Sequence, residues 1–110
     1  MVLRVGVVGV GRWGTNHARV LAELQEEGLI EFSAVCDVDE VRARQVAKRF
    51  GVPLATTSLE SFARSVDAAI IATPMDSLYP VSRKLLEQGI DLLIEKPVAT
   101  TSQEVRELRK

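Results

Sequence analysis

Three glycines, Gly9, Gly11 and Gly14, stand in the run GVVGVGRWG at residues 6–14, after an apolar stretch and before one with helical spacing. At such a junction each has a use: Gly9 for a tight turn, Gly11 for close approach of backbone to a diphosphate, Gly14 for close packing of helix against strand. The helix beyond would open with free N–H groups and the positive end of its dipole, both of which favour an anion. At ordinary glycine usage such a triplet arises by chance about 0.04 times in a chain of this length. The spacing therefore needs support from its surroundings, and Asp37 supplies it. That acid ends IEFSAVCD, 23 residues past Gly14, where a carboxylate accepts both ribose hydroxyls of an adenosine. The same charge repels a 2′-phosphate, which favours NAD over NADP. Arg42 and Arg44 soften that preference, because a nearby arginine can hold the phosphate. Residue 38 is valine rather than arginine, so NAD is the expected cofactor, with NADP possible. The plain alternative is that Asp37 merely starts a turn.

These residues need a frame that brings them together. Leu3–Val8 is a continuous apolar run apart from Gly6, suited to a strand covered on both faces. Residues 14–27 place Ala18, Leu21, Leu24 and Gln25 at helical spacing and stop before Gly28. Ile30–Cys36 is the second strand. Asp39 suits the N-cap of the next helix, whose Ala43, Val46, Ala47 and Phe50 form one apolar stripe. Gly51 fits its C′ position and Pro53 prevents its continuation. A short strand at Leu54–Thr56 and a helical piece at Leu59–Arg64 follow, then a buried strand at residues 67–72. Asp76 or Ser77 is expected to cap a helix reaching Gln88, with Pro80 in its first turn and Gly89 as its stop. Asp91–Ile94 is the last strand. Thr101, Ser102, Gln103 and Glu104 match a capping box, whose helix would bury Val105 and Leu108. This alternation predicts an α/β fold: a doubly wound parallel sheet of Rossmann type, with helices on both faces. Residues 1–110 read as one domain, and the end inside a helix reads as a piece cut from a longer protein.

Composition excludes several classes. The formal net charge is −1, so no basic field draws nucleic acid or an anionic membrane. Cys36 is the only cysteine, which rules out an internal disulfide and fits a reducing compartment. The N-terminus lacks a basic cluster and a cleavage signal. No apolar run approaches the ~18 residues that span a bilayer, so a cytoplasmic location is expected. His17 is the only histidine; it reads as a structural residue, and no cluster has metal-ligand spacing. Cys36 reads as a small buried apolar residue. Arg42, Arg44, Lys48 and Arg49 read as the solvated face of their helix, without the interleaved aromatics of a nucleic-acid patch. Trp13 either covers the nicotinamide or substrate, or packs over the turn.

IATP at residues 71–74 and EKP at 95–97 each close an expected strand. With GVGRWG and Asp37, they make the chain resemble the Gfo/Idh/MocA family along essentially all 110 residues. The resemblance implies a two-domain NAD(P)-dependent oxidoreductase acting on a sugar, polyol or sugar nucleotide. A dinucleotide domain would be followed by a larger α/β domain that carries much of the substrate site, a general-base histidine and the oligomer interface. A homo-oligomer is implied for the full-length protein, with a small sugar-like substrate and neither nucleic acid nor membrane as partner. It also implies that Gly9, Gly11, Arg12, Trp13, Gly14, Asp37, Ala72, Thr73, Pro74, Glu95 and Lys96 bind the cofactor. Thr73 and Pro74 would lie near the nicotinamide ribose, and Glu95 close to the nicotinamide. Lys96 would be catalytic, holding the substrate hydroxyl and tuning its proton loss. Hydride leaves a C–OH carbon more easily as that proton is removed, and a cation stabilises the developing alkoxide.

Two details bear on the substrate. RWGTNHAR at residues 12–19 is closer to members acting on sugar nucleotides. Members often carry a histidine four residues after the proline of ATP, where this chain has Leu78, followed by Tyr79. The alternative is a non-catalytic dinucleotide-binding sensor on the same fold, which Leu78 favours and EKP opposes. A methyltransferase also uses a glycine loop and an acid, but has no reason to carry EKP.

Overall fold

The computed structural model describes residues 2–73 and 75–94, with Trp13, residues 75–77, Leu93 and Ile94 entering by their backbone alone. Nine elements alternate among them: β1 (Leu3–Val8), α1 (Arg12–Glu26), β2 (Ile30–Cys36), α2 (Glu40–Phe50), β3 (Leu54–Thr56), α3 (Leu59–Arg64), β4 (Ala68–Ile71), α4 (Met75–Glu87) and β5 (Asp91–Ile94). The strands form one sheet in the order β3-β2-β1-β4-β5, and every pairing is parallel. The chain winds outward from β1 through β2 and β3, then crosses back to β4 and β5. The doubly wound expectation therefore holds. The reversal falls beside β1, so a crevice opens past the carboxyl ends of β1 and β4.

Each face of the sheet has its own core. Val5 and Val7 meet Ala18 and Leu21 of α1 and Ala43, Val46 and Ala47 of α2 on one side. Val8, Ala34 and Cys36 meet Phe62 of α3 and Leu78 and Leu85 of α4 on the other. Phe32 and Val35 share the first layer although they are three residues apart. The reason is a bulge: Val5 pairs with Phe32 but Gly6 pairs with Ala34, leaving Ser33 over. An extra residue reverses the facing of the strand beyond it. The end of β2, and with it Asp37, is aimed by this irregularity.

Local chemistry explains the helix ends. Asp39 caps α2 as expected, its side chain accepting from Arg42 N–H, and Gly51 ends the helix at φ 70°. Helix α1 starts at Arg12, earlier than its apolar stripe suggests, because Gly11 serves as N-cap, a position glycine tolerates well. Strand β4 is shorter than residues 67–72. Asp67 is diverted to Arg4, whereas Ala72 N–H still reaches Val8 O at 2.8 Å. Asp76 and Ser77 do not precede α4 but lie in its first turn, since the helix already runs at Met75. Pro80 consequently stands in the helix interior, where it withholds the N–H that would bond to the carbonyl of residue 76. Gly89 ends this helix region at φ 79°. The capping box at residues 101–104, with Val105 and Leu108, lies outside the described residues.

Asp67 fastens the start of β4 to β1. Arg4 Nη2 donates to its Oδ1 at 3.0 Å, Arg4 Nε to Oδ2 at 3.3 Å, and Arg4 N–H to Oδ2 at 3.0 Å. The side-chain hydrogen bond from Arg4 is the main cause holding the Asp67 carboxyl below its ordinary value. A depressed carboxyl stabilises the fold fully above its unfolded pKa of about 3.9, and that stabilisation is lost as pH falls through the folded value. Asp67→Asn should therefore lower the urea midpoint at pH 7, and its gap to wild type should close below about pH 4. Urea titrations at the two pH values check this; an equal gap at both would contradict it.

Candidate functional site

A cleft of about 540 Å³ lies at the carboxyl end of the sheet. The turn after β1 forms one wall. Gly9 has φ 88°, its N–H donates to Cys36 O at 2.8 Å, and a Cβ there would come within 2.8 Å of Ala72 O. Both its dihedral and its crowding therefore require glycine. A Cβ on Gly14 would overlap the Gly9 carbonyl oxygen. Gly14 thus lets the first turn of α1 rest on the turn itself. Gly11 differs, because a Cβ there would meet only Arg42 Nη1, at 3.7 Å. Nothing internal makes residue 11 a glycine, which suits a surface that a ligand must approach closely. Gly11 brings no side-chain cap to α1, and the first turn of that helix carries no acid. The helix therefore presents its amide end toward the cleft without an anion of its own, an arrangement that favours a bound phosphate.

Asp37 lines the cleft beside this turn and does more than start a turn of its own. Its side chain is 5% exposed. Oδ2 accepts from Val10 N–H at 2.9 Å, and Oδ1 accepts from Asp39 N–H at 2.9 Å. The carboxylate thus ties the glycine turn to the end of β2. An ionised carboxylate has about four acceptor sites, so it retains capacity for two hydroxyls on the cleft side. Replacing it separates the two roles. Asp37→Asn keeps one acceptor but sets an amide N–H against the other backbone donor, at a cost of about 1–3 kcal/mol. The variant should show that loss in urea denaturation, together with NADH affinity reduced by about tenfold or more. Wild-type values on both measurements would show that Asp37 serves neither role.

Ala72 and Thr73, just past β4, line the same cleft. Thr73 Oγ1 is buried and finds no hydrogen-bond partner among the described residues. A buried hydroxyl left unpaired is costly, and this one belongs to a residue of the cleft wall. The structure thus brings together Gly9, Gly11, Arg12, Asp37, Ala72 and Thr73, with Gly14 packed beneath. Trp13 stands in the first turn of α1. Its side chain, with Pro74, Glu95 and Lys96, lies outside the described residues.

The cleft includes residues that sequence reasoning passed over. Val38, Thr57, Leu59 and Val81 line it, and Val38 is 97% exposed. Loops at the carboxyl ends of parallel strands converge on one crevice, so the residues after β2 and β3 could have been nominated from the fold pattern. Arg42 is exposed on its helix, as expected, and also stands near the acid. Its Nη1 lies 3.8 Å from Asp37 Oδ2, because the Asp39 cap sets it in the first turn of α2, beside the cleft. Arg44 instead pairs with Glu40 at 2.8 Å. Cys36 is buried as expected, and burial, followed by the Asp37 charge, pushes its thiol up to about 11. It is no nucleophile at neutral pH. Leu78 is packed into the second core layer. No group of three metal-ligating side chains occurs among the described residues, and no helix among them is long and apolar enough to cross a membrane.

Known proteins share this fold. Residues 3–110 match a family described as an oxidoreductase family with an NAD-binding Rossmann fold. Inositol 2-dehydrogenase of Rhizobium meliloti is 28% identical over 106 residues, which cover 96% of this chain and 31% of that protein. The solved UDP-N-acetylglucosamine 3-dehydrogenase of Acidithiobacillus ferrooxidans superposes with a TM-score of 0.87 at 30% identity, over 99% of this chain and 34% of the other. GenD2 from gentamicin A biosynthesis, solved in complex with NAD, superposes with a TM-score of 0.86 at 31% identity, over 97% of this chain and 30% of the other. The chain thus spans about a third of the length of these relatives.

Proposed function

From the premise that the chain belongs to the Gfo/Idh/MocA oxidoreductase family, within its NAD-binding Rossmann fold, we propose that it is the cofactor-binding part of a dehydrogenase. The reaction is hydride transfer between NAD and a secondary alcohol or ketone carbon of a sugar, polyol or sugar nucleotide. The observation that carries this reading is an amide-lined glycine turn and Asp37 held together in the lining of one cleft. The relatives support the substrate class, since one is named for inositol and another for UDP-N-acetylglucosamine.

Bound NAD supplies the hydride acceptor; the remaining work falls to the chain's own residues. The amide end of α1, bared by Gly11, holds the diphosphate. Asp37 accepts the adenosine ribose hydroxyls, and Thr73 Oγ1 offers its unpaired hydrogen-bonding capacity to the nicotinamide end. Lys96, beside Glu95, holds the substrate hydroxyl and moves its proton. The substrate pocket, the general base and the subunit interface of a cytoplasmic homo-oligomer belong largely to further residues of the full-length protein.

Calorimetric titration of the chain with NADH tests the binding half, and saturable heat is expected. No binding at millimolar cofactor would refute it. Turnover of a panel of polyols and nucleotide sugars by the full-length protein with NAD tests the catalytic half. Cofactor binding with no turnover on any of them would point to a sensor instead.

A further inference from the structure

We infer that Thr15 is a positioning residue of the cleft: its hydroxyl holds the Val10 carbonyl and so turns the Gly11 N–H outward, as a further donor for a bound diphosphate. This rests on the reading that the cleft holds a dinucleotide. Thr15 Oγ1 donates to Val10 O at 3.0 Å, five residues back. A threonine in a helix usually bonds a carbonyl three or four residues back, within the helix itself. Val10 instead precedes α1, whose N-cap is Gly11. The bond therefore ties the body of the helix to the glycine turn.

Val10 is thereby held at both of its backbone polar groups. Its N–H donates to Asp37 Oδ2 at 2.9 Å, its carbonyl accepts from Thr15, and the residue is 1% exposed. Neither group can turn away without leaving a buried polar atom unpaired. A trans peptide is planar, with its C=O and the following N–H pointing in opposite directions. With the Val10 oxygen drawn onto α1, the Gly11 N–H points away from the helix body, as the free N–H groups of a first helical turn do. Gly11 lines the cleft and has no side chain to screen that donor. Its own carbonyl accepts from Thr15 N–H at 2.8 Å, so Thr15 grips two successive carbonyls of the turn. Through Val10, one hydroxyl links the diphosphate seat to Asp37.

Thr15→Val removes the hydroxyl and keeps the β-branched shape, whereas Thr15→Ser keeps the hydroxyl. Calorimetric titration with NADH and amide-proton NMR of wild type and both variants test the inference. Thr15→Val should bind NADH about fivefold to tenfold more weakly, and Thr15→Ser within about twofold of wild type. Saturating NADH should move the Gly11 amide proton downfield in wild type and Thr15→Ser, as it gains an anionic acceptor, and much less in Thr15→Val. The Val10 N–H, held by Asp37, should resist solvent exchange in all three proteins; a general loosening of the turn would expose it. Undiminished NADH affinity in Thr15→Val, no rescue by Thr15→Ser, a wild-type Gly11 proton indifferent to NADH, or a Val10 N–H that exchanges freely in Thr15→Val overturns this inference alone. Failure of wild type to bind NADH overturns the dinucleotide reading and this inference with it.

Discussion

Gly14→Ala should melt at least about 10 °C below wild type and lose NADH binding, whereas Gly11→Ala should melt within a few degrees of wild type and still bind NADH about tenfold more weakly or worse. Helix propensity alone predicts the opposite sign at position 14, since alanine in a helix interior is favoured over glycine by up to about 1 kcal/mol. Contact geometry decides the matter. A Cβ on Gly14 would overlap the Gly9 carbonyl oxygen, and Gly9 is held by its N–H bond to Cys36 O at 2.8 Å. Neither partner is the far end of a flexible side chain, so the strain has no easy outlet. Overpacking of this kind costs about 1–3 kcal/mol, and more where backbone must move. At Gly11 the added methyl meets only Arg42 Nη1, at 3.7 Å, and the fold tolerates it. The methyl would, however, stand on the surface where a diphosphate must approach the amide end of α1. Thermal melts and calorimetry on the two variants separate the roles. A Gly14→Ala protein as stable as wild type, or a Gly11→Ala protein of undiminished affinity, would contradict this division.

The second large effect concerns Lys96 in the full-length protein. On the proposed chemistry, Lys96→Ala should reduce kcat by about a hundredfold or more, a loss much larger than any change in NADH affinity. An ammonium at the reacting carbon lowers the cost of developing alkoxide charge, and it is a group whose proton can be given and taken. Lys96→Arg keeps the charge but not that ability, because a guanidinium does not deprotonate in proteins; it should rescue little of the rate. Steady-state kinetics beside cofactor titration distinguish the outcomes. A kcat that survives either substitution would remove Lys96 from the chemistry, while parallel losses of kcat and NADH affinity would make it a cofactor contact only.

What could be read in advance follows from how local each signal is. The glycine turn was legible because a positive φ at Gly9 and the crowding at Gly14 leave no other residue a place. Helix α2 was legible from its own ends, Asp39 and Gly51. Features set by two distant segments were not. The Ser33 bulge depends on the pairing of β2 with β1, and serine carries no mark of it. The start of α1 inside the glycine motif escaped a reading by apolar stripe, because Arg12 contributes nothing to that stripe. Arg42 and Arg44 were both legible as cations near the acid, but a helical wheel could not reveal that only Arg42 borders the cleft while Arg44 pairs with Glu40. Val38, Thr57 and Leu59 reach the cleft only through the convergence of loops from different strands, which is a property of the sheet order.

The central claim is that a diphosphate rests on the amide end of α1 while Asp37 holds the adenosine ribose. A crystal structure of the chain grown with NAD tests it most directly. The account predicts diphosphate oxygens about 3 Å from N–H groups at the start of α1 and ribose hydroxyls at a similar distance from Asp37 oxygens. A diphosphate bound elsewhere, or an Asp37 carboxylate that touches no ribose, would contradict it.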